Sequence, residues 1–191
     1  PDGTHAKVKV ANINAVISNY TNIDSIVPMI LKGSGYIENK AYFDIQLAFS
    51  YQLPQFNFNG TIKKFDLTDL NPLLKSYAPV NIKKGIVDQI TFSGIAYKNS
   101  SAGTLTFLYH NLDIDLELKE RAKWQSDILT FATNSYVNDA NPAKPDMPPR
   151  VVKFNAQRDM NKGFLNMVLK SFFAGLKETI LMSKENKETY R

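Results

Sequence analysis

Tyr42-Phe43-Asp44-Ile45-Gln46-Leu47-Ala48-Phe49-Ser50-Tyr51-Gln52-Leu53 decides the fold class. Phe43, Ile45, Leu47, Phe49, Tyr51 and Leu53 alternate with Asp44, Gln46, Ala48, Ser50 and Gln52. Successive side chains of an extended chain point to opposite faces. Residues 42–53 therefore predict a strand with one apolar face and one wet face. At ~3.3 Å per residue that strand would run roughly 40 Å, and Pro54 would end it.

Downstream, Phe56, Phe58 and Ile62 share the parity of a second strand, with Gly60 predicting a bulge. Residues 66–74 read as a helical turn, with Asn71 as cap and Pro72 at the first helical position. Gly85 predicts a turn into a strand over 86–97, where Ile90, Phe92 and Ala96 share a face, and residues 99–103 read as a loop. Residues 104–119 form a long strand. Its first half carries Leu105, Phe107 and Tyr109, and its second half carries Leu112, Ile114, Leu116 and Leu118 on the opposite parity. Two readings reconcile the halves: a bulge near His110-Asn111, or a first half covered on both faces.

The first 30 residues read as weaker strands, with Val8 and Val10 on one parity and Ile13, Ala15 and Ile17 on the other. Residues 128–137 predict another strand. Residues 141–149 hold four of the nine prolines and predict a loop. A short strand over 150–155 precedes a switch to helical periodicity over 161–184, where Phe164, Leu165, Val168, Leu169, Phe172, Phe173, Leu176 and Ile180 make a wide apolar arc. The expected organisation is one β-rich module spanning 1–191. Its sheet covers 1–140, its Pro-rich loop 141–149, and its short strand and C-terminal helix 150–191. The fold class is mainly β (α+β): an antiparallel, meandering, curled sheet of long strands with an apolar concave face, one short helical turn and a long amphipathic C-terminal helix. One helix about 10 Å wide covers only part of such a sheet. The remainder must curl, pair, or hold a ligand.

Composition narrows the chemistry. The 191 residues carry 23 Lys+Arg against 18 Asp+Glu, a net +5 spread along the chain, so no nucleic-acid footprint is present. Without cysteine there is no disulfide, thiol catalysis or zinc–thiolate site, and His5 and His110 are too few for a histidine-rich metal site. Gly33-Ser34-Gly35 lacks the first glycine of a nucleophile elbow, and no phosphate-cradling glycine loop occurs. Asp113, Asp115 and Glu117 alternate with Leu and Ile, which reads as a solvated strand face rather than a calcium loop. Lys63-Lys64 and Lys83-Lys84 read as surface pairs. The sequons at Asn19, Asn59 and Asn99 are short enough to arise by chance in an Asn-rich chain. No enzyme, catalytic residue, metal or cofactor is predicted. The opening Pro1-Asp2-Gly3-Thr4-His5 predicts a piece of a longer protein or a processed product.

One stretch carries a resemblance. Asn59-Gly60-Thr61-Ile62 leads into Phe65-Asp66-Leu67-Thr68-Asp69-Leu70-Asn71-Pro72-Leu73-Leu74. Then come residues 80–88, Gly103-Thr104-Leu105, Tyr109-His110-Asn111-Leu112-Asp113-Ile114 and, opening the helix, residues 158–164. This pattern resembles the C-terminal region of the AsmA-like proteins of Gram-negative bacteria, over roughly residues 55–183. The resemblance implies a terminal module of a bridge-like lipid-transfer protein. Such a protein is anchored in the inner membrane, extends through the periplasm, and serves phospholipid traffic and outer-membrane biogenesis.

The leading expectation is a non-catalytic module that handles acyl chains. Its apolar groove would be lined by Phe43, Ile45, Leu47, Phe49, Phe56, Phe58, Ile90, Phe92, Leu112, Ile114, Leu116 and Leu118. The helix would contact sheet and lipid through Phe164, Leu165, Val168, Phe172, Phe173 and Leu176. The expected partners are a phospholipid or other acyl chain and a membrane surface or envelope protein, with no nucleic acid. The alternatives are a closed-core structural or interaction module without a ligand, and an extracytoplasmic adhesive or carbohydrate-binding module.

Overall fold

The computed structural model of the chain describes residues 9–23, 26–71, 80–116 and 139–181. The expected strand over 128–137, together with Leu118, Glu117, Trp124 and Pro72, lies outside the described residues. The described chain is mainly β. It is an open antiparallel sheet in the order β1-β2-β3-β4-β5-β6-β7, followed by one long helix. The strands are β1 (Val10–Ser18), β2 (Met29–Ile37), β3 (Ala41–Phe49), β4 (Phe56–Asp66), β5 (Val80–Ala96), β6 (Ser100–Leu116) and β7 (Val151–Gln157). The helix, α1, is Phe164–Leu181.

Pairing aligns one apolar face across the sheet. Ile17, Leu31, Leu47, Phe58, Gly94, Gly103 and Phe154 form a single row crossing all seven strands. The next row is Ala15, Gly33, Ile45, Gly60, Phe92, Leu105 and Val152. Residues opposite each other share a face, so these rows define the inner surface. Large and small residues alternate along them. The rings of Phe58 and Phe154 stand three strands apart, yet their centroids meet at 6.4 Å above the Gly94–Gly103 pair. A β-carbon at Gly103 would fall 2.6 Å from the Phe154 ring.

Several sequence expectations change here. The strand expected over 42–53 stops at Phe49. The Ser50 hydroxyl accepts the amides of Gln52 (3.2 Å) and Leu53 (3.0 Å), so a local turn takes the backbone from the ladder before Pro54 is reached. Tyr51 leaves the sheet face, and its hydroxyl donates to the Asn19 carbonyl at 2.8 Å. Gly60 is not a bulge, because the β3–β4 and β4–β5 registers run through it unbroken. Its missing side chain admits Phe92, whose ring would lie 2.5 Å from a β-carbon there.

Gly85 is not a turn but a position inside β5 with φ +154°, at a register shift between Lys84 and Ile86. Residues 100–103 are not a loop. β6 begins at Ser100, and the Tyr97 amide closes the hairpin on the Ser100 carbonyl at 2.7 Å. The helical turn is a 3-10 helix, Leu67–Leu70, capped by Asp66 rather than entered at Asn71. The Asn71 carboxamide instead braces β5, donating to the Ile82 carbonyl and accepting the Ile82 amide, both at 2.8 Å.

The expected parity switch in β6 is present. Asn111 has φ +56°, and its bulge brings Leu112 and Ile114 into contact with the same core as Leu105 and Phe107. β1 makes a similar switch through Asn12 (φ +51°), with a register shift between Ala11 and Asn14. The loop over 139–150 is held on β6 by buried Asn141. Its side chain donates to the Phe107 carbonyl (2.7 Å) and accepts the Arg150 amide (2.8 Å).

Candidate apolar site

α1 packs on β7, β6 and β5. Met167, Val168, Ser171, Gly175 and Thr179 are buried. Met167 and Val168 supply bulk in its first turns, but at Ser171, Gly175 and Thr179 this face is small and partly polar. Ser171 donates to the Met167 carbonyl (2.8 Å) and meets Ser101 of β6 at 2.7 Å, which satisfies both hydroxyls inside the core. A β-carbon at Gly175 would approach Leu105 to 2.8 Å and Phe154 to 3.0 Å, so the glycine sets how closely the helix lies on the sheet. Phe172 reaches β5 through Phe92 (5.3 Å between centroids), and Phe164 reaches β3 and β4 through Phe49 (5.2 Å) and Phe56 (6.4 Å).

Beyond Phe164, the inner face of β2 and β3 carries Leu31, Gly33, Gly35, Phe43, Ile45 and Phe49. The side chains of Leu31, Phe43, Ile45 and Phe49 are half-buried and packed at the margin of the core. Gly33 and Gly35 keep the floor low along β2, where the rings and branches of Phe43 and Ile45 lean over them. Exposure rises toward the edge. Leu47 is 0% exposed and Ile17, in the same row, 55%.

The predicted groove residues therefore divide. Leu47, Phe56, Phe58, Ile90 and Phe92 belong to the closed core. Phe43, Ile45 and Phe49 form the open part of the face, while Leu112 and Ile114 pack at the far margin. The side chain of Leu116 lies outside the described residues. On the helix, Val168 is buried, and Phe164, Phe172 and Leu176 pack half-buried against the core. Leu165 and Phe173, the other members of the expected sheet-and-lipid face, stand clear of the sheet and are solvent-exposed at 56% and 54%. With Leu169 they repeat every four residues along one outer stripe, because the buried seam passes through Ser171 and Gly175 on another side of the helix.

The polar side chains pair with one another. His110 Nδ1 pairs with Asp88 Oδ2 at 2.8 Å on the exposed side of the β5–β6 hairpin, and Lys83 Nζ pairs with Asp115 at 2.8 Å. That carboxylate holds the Lys83 ammonium pKa above its ordinary value. The Asp66 carboxyl is lowered, first by the Thr68 hydroxyl (2.6 Å) and then by the Thr68 amide (2.9 Å). Burial raises the Tyr109 phenol, against the opposing pull of Arg150. Among the described residues no group of three or more His, Cys, Asp or Glu is placed to hold a metal ion. No described helix is long and apolar enough to cross a membrane.

Two concavities lie away from the apolar face. One, of about 410 Å³, opens between β7 and α1 beside Asn155, Gln157, Lys170 and Glu178. The other, of about 250 Å³, lies on the outer face among Asn59, Thr61, Thr91, Ser93, Thr104 and Thr106. Sequence reasoning missed Leu31, Gly33 and Gly35, because the two glycines hide the period-two signal of β2. It also missed Ser171 and Gly175, whose signal is small residues at i and i+4 on the helix, and their partner Ser101 on β6, which was read as loop. No protein-family model matches the chain, nor does any curated protein or solved structure.

Proposed function

We propose that the chain is a non-catalytic lipid-handling module of an AsmA-like protein, within an inner-membrane-anchored parent in the periplasm of a Gram-negative cell. It shelters acyl chains during outer-membrane biogenesis. The observation that supports this reading is the half-buried apolar surface of β2 and β3, a floor of Leu31, Phe43, Ile45 and Phe49 beyond the helix. Phe164 stands at its border, in ring contact with Phe49.

The energy scale suits exchange. Each methylene moved from water to an apolar floor is worth about 0.8 kcal/mol. A bilayer offers the same gain, so transfer between bilayer and floor is near neutral. The exposed stripe of Leu165, Leu169 and Phe173, with Lys170 also exposed, gives the helix a second apolar surface of the kind that lies at a lipid interface.

Native mass spectrometry of gently purified protein tests the reading, together with titration of a fluorescent fatty acid. Co-purifying lipid and saturable binding that Ile45→Asp abolishes would support it. No bound lipid and no saturable binding by the unmodified chain would overturn it. The alternative of a closed structural module draws on Leu47 and Phe58, which are almost fully buried at the centre of the same face. Under that reading Ile45→Asp would lower the melting temperature and change nothing else.

A further inference from the structure

The two flanks of α1 differ. Lys170, Ala174 and Glu178 lie on the flank toward β7, beside Asn155 and Gln157. On the opposite flank Leu165, Leu169, Phe172 and Leu176 recur at i, i+4, i+7 and i+11, a spacing that stacks side chains along one side of a helix. Two members of this row fix where it points. Phe172 meets the Phe92 ring of β5, and Leu176 packs against the core. The other two, Leu165 and Leu169, clear the sheet and are exposed.

This flank overlooks the open floor. Phe164, in the first turn, is in ring contact with Phe49 of β3 and Phe56 of β4. From Phe92 the inner row runs through Gly60 and Ile45 to Gly33, so it passes from beneath the helix flank to the half-buried floor without a polar side chain. A helix lying on a sheet stands above it as a ridge about 10 Å across. Its flank and the uncovered sheet beside it therefore meet in a trough.

The lining discriminates among occupants. Neither the floor residues Leu31, Phe43, Ile45 and Phe49 nor the four flank residues carry a hydrogen-bonding side chain. The main-chain groups of β2, β3 and β4 are taken up in ladders on both sides. A looping or extended polypeptide laid in the trough would bury N–H and C=O groups without partners, each at a cost. A hydrocarbon chain has no such groups to satisfy.

From these observations we infer that the α1 flank and the β2–β3 floor are two walls of one trough, and that an acyl chain lies between them. It touches Leu165 and Leu169 on one side and Ile45 and Phe49 on the other. The inference rests on the acyl-chain reading above and adds the helix wall to it.

The test uses the full chain and a fatty acid spin-labelled at its methyl end. Methyl NMR identifies the side chains that the label broadens, and titration gives the affinity. The expected result is parallel broadening at Leu165, Leu169 and Ile45. Leu165→Gln combined with Leu169→Gln changes two exposed positions, so the melting temperature should hold. Affinity should fall about tenfold, the loss of wall contact for roughly two methylenes. Leu165→Met combined with Leu169→Met should keep the affinity of the unmodified chain. Unchanged affinity in the glutamine pair, with Ile45→Asp still abolishing binding, would overturn this inference and leave the floor reading standing. Broadening at Leu165 and Leu169 without Ile45 would overturn it as well, because the helix stripe would then be a separate surface. No saturable binding by the unmodified chain would remove both the floor reading and the helix wall.

Discussion

The β7 half and the β1 half of the sheet are built from the same alternation and end differently. Along one row Phe154 is buried against α1, Phe58 and Leu47 are buried mid-sheet, and Ile17 stands open at the far edge. What differs is the layer above. Ser171 and Gly175 let α1 lie close on Leu105 and Phe154, and Phe164 ends its reach at β3 and β4. An apolar sheet face is thus not itself a core. It becomes one only where a second layer is shaped to meet it.

The largest test of this contrast is Phe154→Ala. Phe154 is buried beneath the helix, so the change should cost about 3–5 kcal/mol in a chemical-denaturation measurement. A cost under about 1 kcal/mol would mean that the helix does not close this half.

Ser171→Ala should come next. The Ser171 hydroxyl already donates to Met167, so it is Ser101 that donates to Ser171, and the alanine leaves a buried donor unmet. The expected loss is about 1–3 kcal/mol. The double change with Ser101→Ala should recover part of it. Strict additivity in that double-mutant cycle would show that the hydroxyls are not coupled.

A smaller, pH-dependent effect should come from Tyr109. Its folded pKa is raised by burial, so its contribution to stability is complete below the unfolded value near 10 and falls as pH climbs through the folded value. Melting curves across alkaline pH should therefore decline, and Tyr109→Phe should flatten the decline. An unchanged slope would assign the alkaline loss to other groups.

The smallest effect belongs to the open half. Ile17→Ser removes an exposed side chain and should shift stability by no more than about 0.5 kcal/mol. A loss comparable to that of Phe154→Ala would erase the contrast between the halves.

The legible parts of the fold were those whose alternation involved large residues. β3 and β4 showed through Phe43 to Phe49 and Phe56 to Ile62, and the β6 parity switch at His110-Asn111 announced its bulge. β2 stayed hidden because Gly33 and Gly35 occupy its inner positions. A glycine there reads as punctuation, whereas in the sheet it is the space into which Phe43 and Ile45 pack. Gly103 misled in the same way, turning the start of β6 into an expected loop.

On the helix, periodicity marked an apolar arc but not its inward side. The buried seam runs through Ser171 and Gly175, which the apolar periodicity did not include, as well as through Val168 and Thr179, which it did. For the candidate site, the sequence named the floor residues Phe43, Ile45 and Phe49. It did not separate them from Leu47 and Phe58, since burial depends on where the second layer ends.

The strand order also has a kinetic consequence. Every described strand pairs with its neighbours in sequence, and short connections join β2 to β3, β3 to β4 and β5 to β6, so these hairpins close locally, whereas the long stretch between Leu116 and Val151 makes the β6–β7 pairing a slower closure. The long-range closure comes last in sequence: Ser171 meets Ser101 across 70 residues, when α1 folds back over β5–β7. Hydrogen exchange should then follow a spatial gradient rather than one global opening. The β6–β7–α1 amides would exchange slowest, and the β1–β2 hairpin would open and reclose many times before the rest of the molecule unfolds.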